Sequence, residues 1–232
     1  MKKLIVIILL VLCVIILYFY LNQKMDVISA DLSQFTAVKD SIIAKKYAPI
    51  IISNNTYGYP EKMYYRISRD REGLTRIAYH PVWKQEINSG QGIKPFLSRI
   101  LYTGGLHIQK IMYGKGDIEV IGLTLSSNGT MTGIDYETAE NYSNNDFFVK
   151  HKKISKKGIF QNPYKFRVIS WNHLFDFIEN KSYILKNDEK LIILEPVYFS
   201  KTIWEEYQME KKIETRLKKN RAHFLFEGLF VE

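Results

Sequence analysis

Cysteine is almost missing from this chain, Cys13 being the single one in 232 residues. No disulfide can form within the chain and no thiolate metal site can be assembled, so its stability must come from packing. Proline is scarce, with six, and no repeat or low-complexity stretch marks an internal linker. G-x-S-x-G, H-E-x-x-H and C-x-x-C are all absent, which removes the common hydrolase, zinc-protease and redox signatures. Tyr113-Gly-Lys-Gly116 is glycine-rich but lacks the spacing and the following Ser/Thr of a phosphate-binding loop. Acidic residues are also in deficit: 24 Asp and Glu face 33 Lys and Arg, for a net charge of +9.

What is present is apolar and aromatic. At 46% apolar and 14% aromatic residues, the chain is neither disordered nor collagen-like, and no second long apolar run makes it a polytopic membrane protein. Residues 4–21, LIVIILLVLCVIILYFYL, carry no charge and at about 1.5 Å per residue would cross roughly 27 Å of hydrocarbon. Lys2 and Lys3 precede the run, while Lys24 and Asp26 after it nearly cancel. The positive-inside bias therefore predicts a single-pass signal anchor over residues 1–24, with a cytoplasmic N-terminus and the remainder exported. A cleaved signal peptide is the competing reading, although small residues arrive only at Ile28-Ser29-Ala30. Cys13 is preceded by leucine, not the small residue a lipoprotein signal needs, and reads as a lipid-facing side chain.

The expected fold is mainly β (α+β): an antiparallel β-sandwich with peripheral helices over residues 47–232, preceded by the transmembrane helix. A juxtamembrane amphipathic helix over 25–46 follows from Ile28, Leu32, Phe35, Ile42 and Ile43 at near-helical spacing, with Asp31 as its N-cap. Lys62–Ser68 and Leu74–Trp83 read as strands joined by a turn at Asp70–Gly73. Residues 87–95 read as a loop and Phe96–Tyr102 as one helical turn. Asn128-Gly129 predicts a two-residue type I′ hairpin between Asp117–Ser126 and Thr130–Glu137, with Leu125 opposite Thr132, Leu123 opposite Ile134 and Ile121 opposite Tyr136. Residues 138–163 read as a surface excursion, Phe166–Trp171 as a strand and Asn172–Ile178 as a short helix. Leu191–Leu194 reads as a buried strand ended by Pro196. Thr202-x-x-Glu205 has the form of a capping box opening a helix to about Arg221, and His223–Val231 reads as a closing strand.

Chemistry has few places to reside. Asp117 and Glu119 share the strand parity of Ile121, Leu123 and Leu125, so both aim at the apolar face, where a carboxylate needs a cation, a donor or a metal. Entry of the strand into the core only after residue 117, with both acids bonded to solvent, Lys or Arg, is the alternative. His80, in Tyr79-His-Pro-Val-Trp-Lys-Gln-Glu86, could line a pocket with Tyr79, Trp83 and Glu86 or bond to backbone in the core. His173, in Ser170-Trp-Asn-His-Leu-Phe-Asp176, could be presented by a loop beside Trp171 or satisfied by Asp176 at a helix start. Lys150, Lys152, Lys153, Lys156 and Lys157 form a basic surface, either a solvated loop or a contact for anionic lipid or envelope polymer.

Three ordered segments resemble the vacuolar-sorting-protein-related and necrosis-inducing-like β-sandwich families. They are Tyr47-Ala-Pro-Ile-Ile-Ile…Tyr59-Pro60, Gly116-Asp-Ile-Glu-Val-Ile-Gly-Leu-Thr-Leu…Asn128-Gly129 and Ser170-Trp-Asn-His173, together bracketing residues 47–175. The resemblance implies a β-sandwich, and in the necrosis-inducing branch a divalent-metal site used at a membrane surface, which would make Asp117 and Glu119 ligands. Isoleucine stands at 118 where that motif has tryptophan, and Gly114 where a histidine ligand is expected. A metal site would therefore draw on His80 or His173.

The expected function is a membrane-anchored binding or interaction module of the cell envelope, its ligand a lipid headgroup, a glycan or an envelope protein. It would meet membrane lipid through residues 4–21. Nucleic acid is not expected as a partner, on grounds of compartment. A metal-assisted hydrolase acting on an envelope substrate is the alternative, and a structural subunit of an envelope assembly a third reading. No cofactor other than a possible divalent metal ion is implied.

Overall fold

The computed structural model describes residues 5–14, 35–86, 88–100, 115–179, 182–186, 188–207, 209 and 231. Residues 5–14 are helical (α1), and among the described residues no helix is long and apolar enough to cross a membrane. Leu4 and residues 15–21 of the apolar run lie outside the described ones.

The strands follow in chain order as β1 (Phe35–Val38), β2 (Ile50–Asn54), β3 (Lys62–Asp70), β4 (Thr75–Trp83), β5 (Asp117–Ile118), β6 (Ile121–Leu125), β7 (Met131–Ala139) and β8 (His151–Lys157). β9 (Lys165–Val168), β10 (Phe175–Ile178), β11 (Glu189–Ile192) and β12 (Pro196–Tyr198) complete them. The larger sheet runs β1–β3–β4–β6–β7–β8, with β12 also beside β3 and β5 beside β4; the smaller runs β10–β9–β2–β11. Most pairs are antiparallel, but β2–β9 and β3–β12 are parallel.

Alternation builds the core. β4 turns Ile77, Tyr79 and Trp83 inward, β6 contributes Ile121, Leu123 and Leu125, and β7 Ile134 and Tyr136. From the smaller sheet Ile51, Phe166, Val168 and Phe175 close onto them in the same apolar cluster, which makes the pair of sheets sandwich-like. Each such side chain is worth about 1.5–3 kcal/mol on full burial. Tyr79 donates its hydroxyl to the Ala44 carbonyl at 2.7 Å, fastening the short helix α2 (Ser41–Lys46) to the core. The outward face of β3 and β4 is covered differently: Tyr64, Val82 and Ile118 pack with Phe199, Trp204 and Tyr207, the latter two from α4 (Lys201–Glu206) and its C-cap.

Several local expectations change. Phe35–Val38 is an edge strand paired with Ile67–Asp70, not part of a helix, because ladder bonds outweigh helical spacing in so short a segment. The cap is Asp40, whose carboxylate accepts from Ile42 and Ile43 N–H at 3.0 and 2.9 Å; Asp31 lies outside the described residues. The hairpin turn has positive φ only at Gly129 (+80°), with Gly129 N–H bonded to the Ser126 carbonyl at 2.8 Å. This wider turn shifts the register after Thr124, so Leu125 opposes Met131 rather than Thr132, while Ile121–Tyr136 and Leu123–Ile134 stand as expected.

The excursion at 138–163 contains β8, an edge strand on which a single apolar side chain, Ile154, packs against the core. Asn172–Ile178 is not a helix: Phe175 and Phe177 pair with Val168 and Phe166 in β10. Ile93–Arg99 forms α3, inside the expected loop and helical turn. Pro196 begins β12 instead of only ending a strand, and Leu191 in β11 is exposed. α4 is capped by Ser200, whose Oγ accepts from Ile203 N–H at 3.3 Å, and not by Thr202. The expected continuation to Arg221 and the strand His223–Val231 fall outside the described residues, except for Tyr207, Met209 and Val231.

Candidate functional site

Two places on the sandwich collect polar side chains, one closed and one open. The closed one forms where β4 ends. Trp83 pairs with Asp117 across the ladder, so both side chains share the inward face. Gly116 makes this approach possible. It has φ +69°, and a Cβ there would meet the Trp83 carbonyl oxygen at 2.6 Å. The opposite wall is the β9–β10 turn, where Ile169 N–H bonds to the Leu174 carbonyl at 2.9 Å and His173 N–H to the Ser170 carbonyl at 3.0 Å. His173 has φ +60°, an uncommon conformation for a non-glycine residue, and this aims its ring back into the sandwich.

There the imidazole is fully engaged. Nδ1 lies 2.5 Å from Asp117 Oδ2, and Nε2 donates to the Tyr57 carbonyl at 2.8 Å. The ring stacks on Trp83 with centroids 4.3 Å apart and planes at 10°. Asp117 and His173 are both buried, so each offsets part of the cost of burying the other, and removing either would leave its partner stranded. A second pair stands beside it. His151 Nδ1 donates to Glu137 Oε2 at 2.6 Å, and its Nε2 accepts from Asn172 Nδ2 at 2.9 Å. Ser170 Oγ in turn donates to Asn172 Oδ1 at 2.7 Å and accepts from Leu174 N–H at 3.1 Å. Tyr142 accepts from Trp171 N–H at 3.2 Å, and burial pushes the Tyr142 and Tyr57 hydroxyl pKa values up.

Of the expected site residues, the structure thus joins Asp117 and His173. Glu119 is buried near the end of the same strand region. His80 pairs with Tyr64 in the ladder and so has the opposite parity to Trp83 and Asp117. Its ring rests edge-on against Phe199 and Trp204, at 5.0 and 5.9 Å, on the other face of the sheet. Tyr79 and Trp83 are core side chains, Glu86 is buried, and Trp171 packs with Val149 and Leu174. Glu137, His151 and Asn172 went unrecognised in the sequence, since only the β7–β8 register brings His151 beside Ala139 and Glu137.

These residues do not fit a divalent ion. Among the described residues no three His, Cys, Asp or Glu side chains converge as a metal group would need, and both nitrogens of His173 are already bonded within the protein. The same engagement leaves His173 without a free nitrogen to act as a general base.

The open place lies at the other end of β10. A groove of about 840 Å³ runs between the edges of β8 and β10, a size within the range of small-ligand sites. Phe160, Phe177 and Ile178 line its apolar part, and Lys156, Lys157 and Lys165 its basic part. Phe160 meets Phe177 edge-on at 5.8 Å, and Phe177 leans on core Phe166 at 5.1 Å. The Lys156 ammonium is paired with the Glu179 carboxylate, and that hydrogen bond holds its pKa above the ordinary lysine value. Tyr79, Trp83, Glu86 and Trp171, expected to line a pocket, do not border this groove.

No family model, curated protein or solved structure matches the chain.

Proposed function

We propose that the protein is a membrane-tethered binding module of the cell envelope that engages an anionic, phosphate-bearing surface through its basic edge strand. The tether is the uncharged run 4–21 behind Lys2 and Lys3, which would leave the domain outside the cytoplasm. The observation that carries the reading is β8. Lys152, Lys153 and Lys157 are exposed on an edge strand and have no ion-pair partner among the described residues. Lys153 and Lys157 share one face of the strand and Lys152 lies on the other; exposed lysines attract anionic headgroups or polymers at about 1 kcal/mol each near such a surface. Binding is favoured over hydrolysis because the two carboxylate–histidine pairs are closed off and internally satisfied.

The test places the full-length chain in neutral lipid nanodiscs and measures its capture of anionic vesicles, neutral vesicles and an anionic envelope polymer. Salt-sensitive capture of the anionic vesicles or the polymer, lost in Lys152→Glu/Lys153→Glu, is expected. Equal capture of neutral vesicles, or capture indifferent to the double substitution, would overturn the reading.

A further inference from the structure

We propose that the groove between β8 and β10 binds a single-chain anionic amphiphile. The anionic head would lie against Lys157 and Lys165 and the chain over Phe160, Phe177 and Ile159. The site shares Lys157 with the exposed β8 lysines but does not involve Lys152 or Lys153.

Charge complementarity argues for the head. Three lysines border the groove against one carboxylate, Glu179, and Glu179 is paired with Lys156. Lys157 and Lys165 are left with no ion-pair partner among the described residues. Two ammonium groups at one rim are a poor arrangement for folding, since like charges repel, and a good one for a phosphate or carboxylate.

The apolar side argues for the chain. Ile159 is 80% exposed, on the loop that leaves β8, directly beside this rim. Nothing in the packing needs a large aliphatic residue there; Gly158 and Phe160 already pin the loop, bonding to the Thr132 and Met131 carbonyls at 3.1 and 3.2 Å. The floor is continuous with the core through Phe177 and Phe166, so a hydrocarbon lying on it leaves water on one side and meets close-packed protein on the other. A peptide adding as a strand is a worse occupant, because the Lys156–Glu179 bridge crosses the gap between the two sheet edges. A flexible single chain can pass under that bridge.

The experiment uses the full-length chain in neutral nanodiscs and a photo-crosslinkable dodecyl phosphate, with adducts mapped by mass spectrometry so that probe dissolved in the disc is not counted. Adducts on residues 158–163 and 177–179 are expected. They should be competed by unlabelled dodecyl phosphate and not by inorganic phosphate. A photo-crosslinkable neutral dodecyl glycoside should label the groove at least about tenfold less, as should dodecyl phosphate on Lys157→Glu/Lys165→Glu and Ile159→Asp. Thermal unfolding of both variants serves as the folding control, since Lys157 and Ile159 are exposed and Lys165 half-exposed. Adducts confined to the apolar run 4–21, equal labelling by the neutral probe, or undiminished labelling of folded variants would overturn the site. Lys152→Glu/Lys153→Glu should leave groove labelling intact, which separates failure of this site from failure of the envelope-surface reading.

Discussion

β10 runs between two unlike environments. At its start, His173, Leu174 and Phe175 are almost completely buried, and every titratable side chain the structure brings together there has a partner inside the protein. At its finish, Phe177, Ile178 and Glu179 border an open groove where Lys156 is bridged to Glu179 and Lys157 and Lys165 have no ion-pair partner among the described residues. The start contains histidines, carboxylates and a strained turn, the usual emblems of chemistry, and they hold the two sheets together. The finish contains lysine, isoleucine and phenylalanine in no recognisable motif, and it is the end that offers a ligand both space and charge. A buried, well-connected cluster of ionisable groups can therefore be architecture, while a binding surface is marked by what is left unsatisfied.

The sharpest way to break this contrast is to remove one partner at the closed end. Asp117→Ala should destabilise the protein by about 3–5 kcal/mol, since it strands a buried imidazole; denaturant unfolding measures it. A loss under 1 kcal/mol would mean the pair is not structural. Gly116→Ala should cost about 1–3 kcal/mol through its positive φ and the clash with the Trp83 carbonyl, read in the same assay.

A third test follows the buried tyrosines. Burial raises the hydroxyl pKa values of Tyr79, Tyr65 and Tyr164 above the ordinary 10.0. The unfolded chain ionises first, so their contribution is complete below about pH 10 and is lost as pH climbs past it, by up to about 1.4 kcal/mol per pH unit for each such group. Melting temperatures from pH 8 upward, against tyrosinate absorbance, should show loss of the fold and formation of tyrosinate occurring together. The smallest effect belongs to the open end: Lys157→Glu and Ile159→Asp should each change stability by less than about 0.5 kcal/mol. A larger loss would make the groove part of the scaffold and erase the contrast.

Much of the architecture was legible in the sequence because strand parity is a local signal. Ile121, Leu123 and Ile134 reveal their inward face by alternation alone, and the Asn-Gly pair announces a hairpin. Its turn type was not legible, because the choice between two-residue and wider turns depends on how the ladder beyond Thr124 accommodates the twist. β8 was hidden because an edge strand needs only one apolar contact and covers the rest with lysine. Parity also aimed Asp117 correctly at the inward face. What it could not reveal was which histidine would meet it. His80 and His173 are equally conspicuous in the sequence, yet the β3–β4 register sends His80 to the far side of the sheet. The groove left no trace in the sequence, since its residues come from three strands and a loop that converge only after the sheets have closed.

The parallel pairs bear on how the molecule is made. Among the described residues β2 finds its ladder partners in β9 and β11, and β3 is completed by β12, with Met63 opposite Pro196. Contacts so distant along the chain are slow to form, because loop closure must precede any gain from pairing. An amino-terminal half emerging first could pair β3 with β1 and β4, but it would hold the apolar β2 without its partners until β9 and β11 arrive. Closure of the smaller sheet is accordingly a late event, waiting on β9 and β11 while most of the larger sheet can already pair.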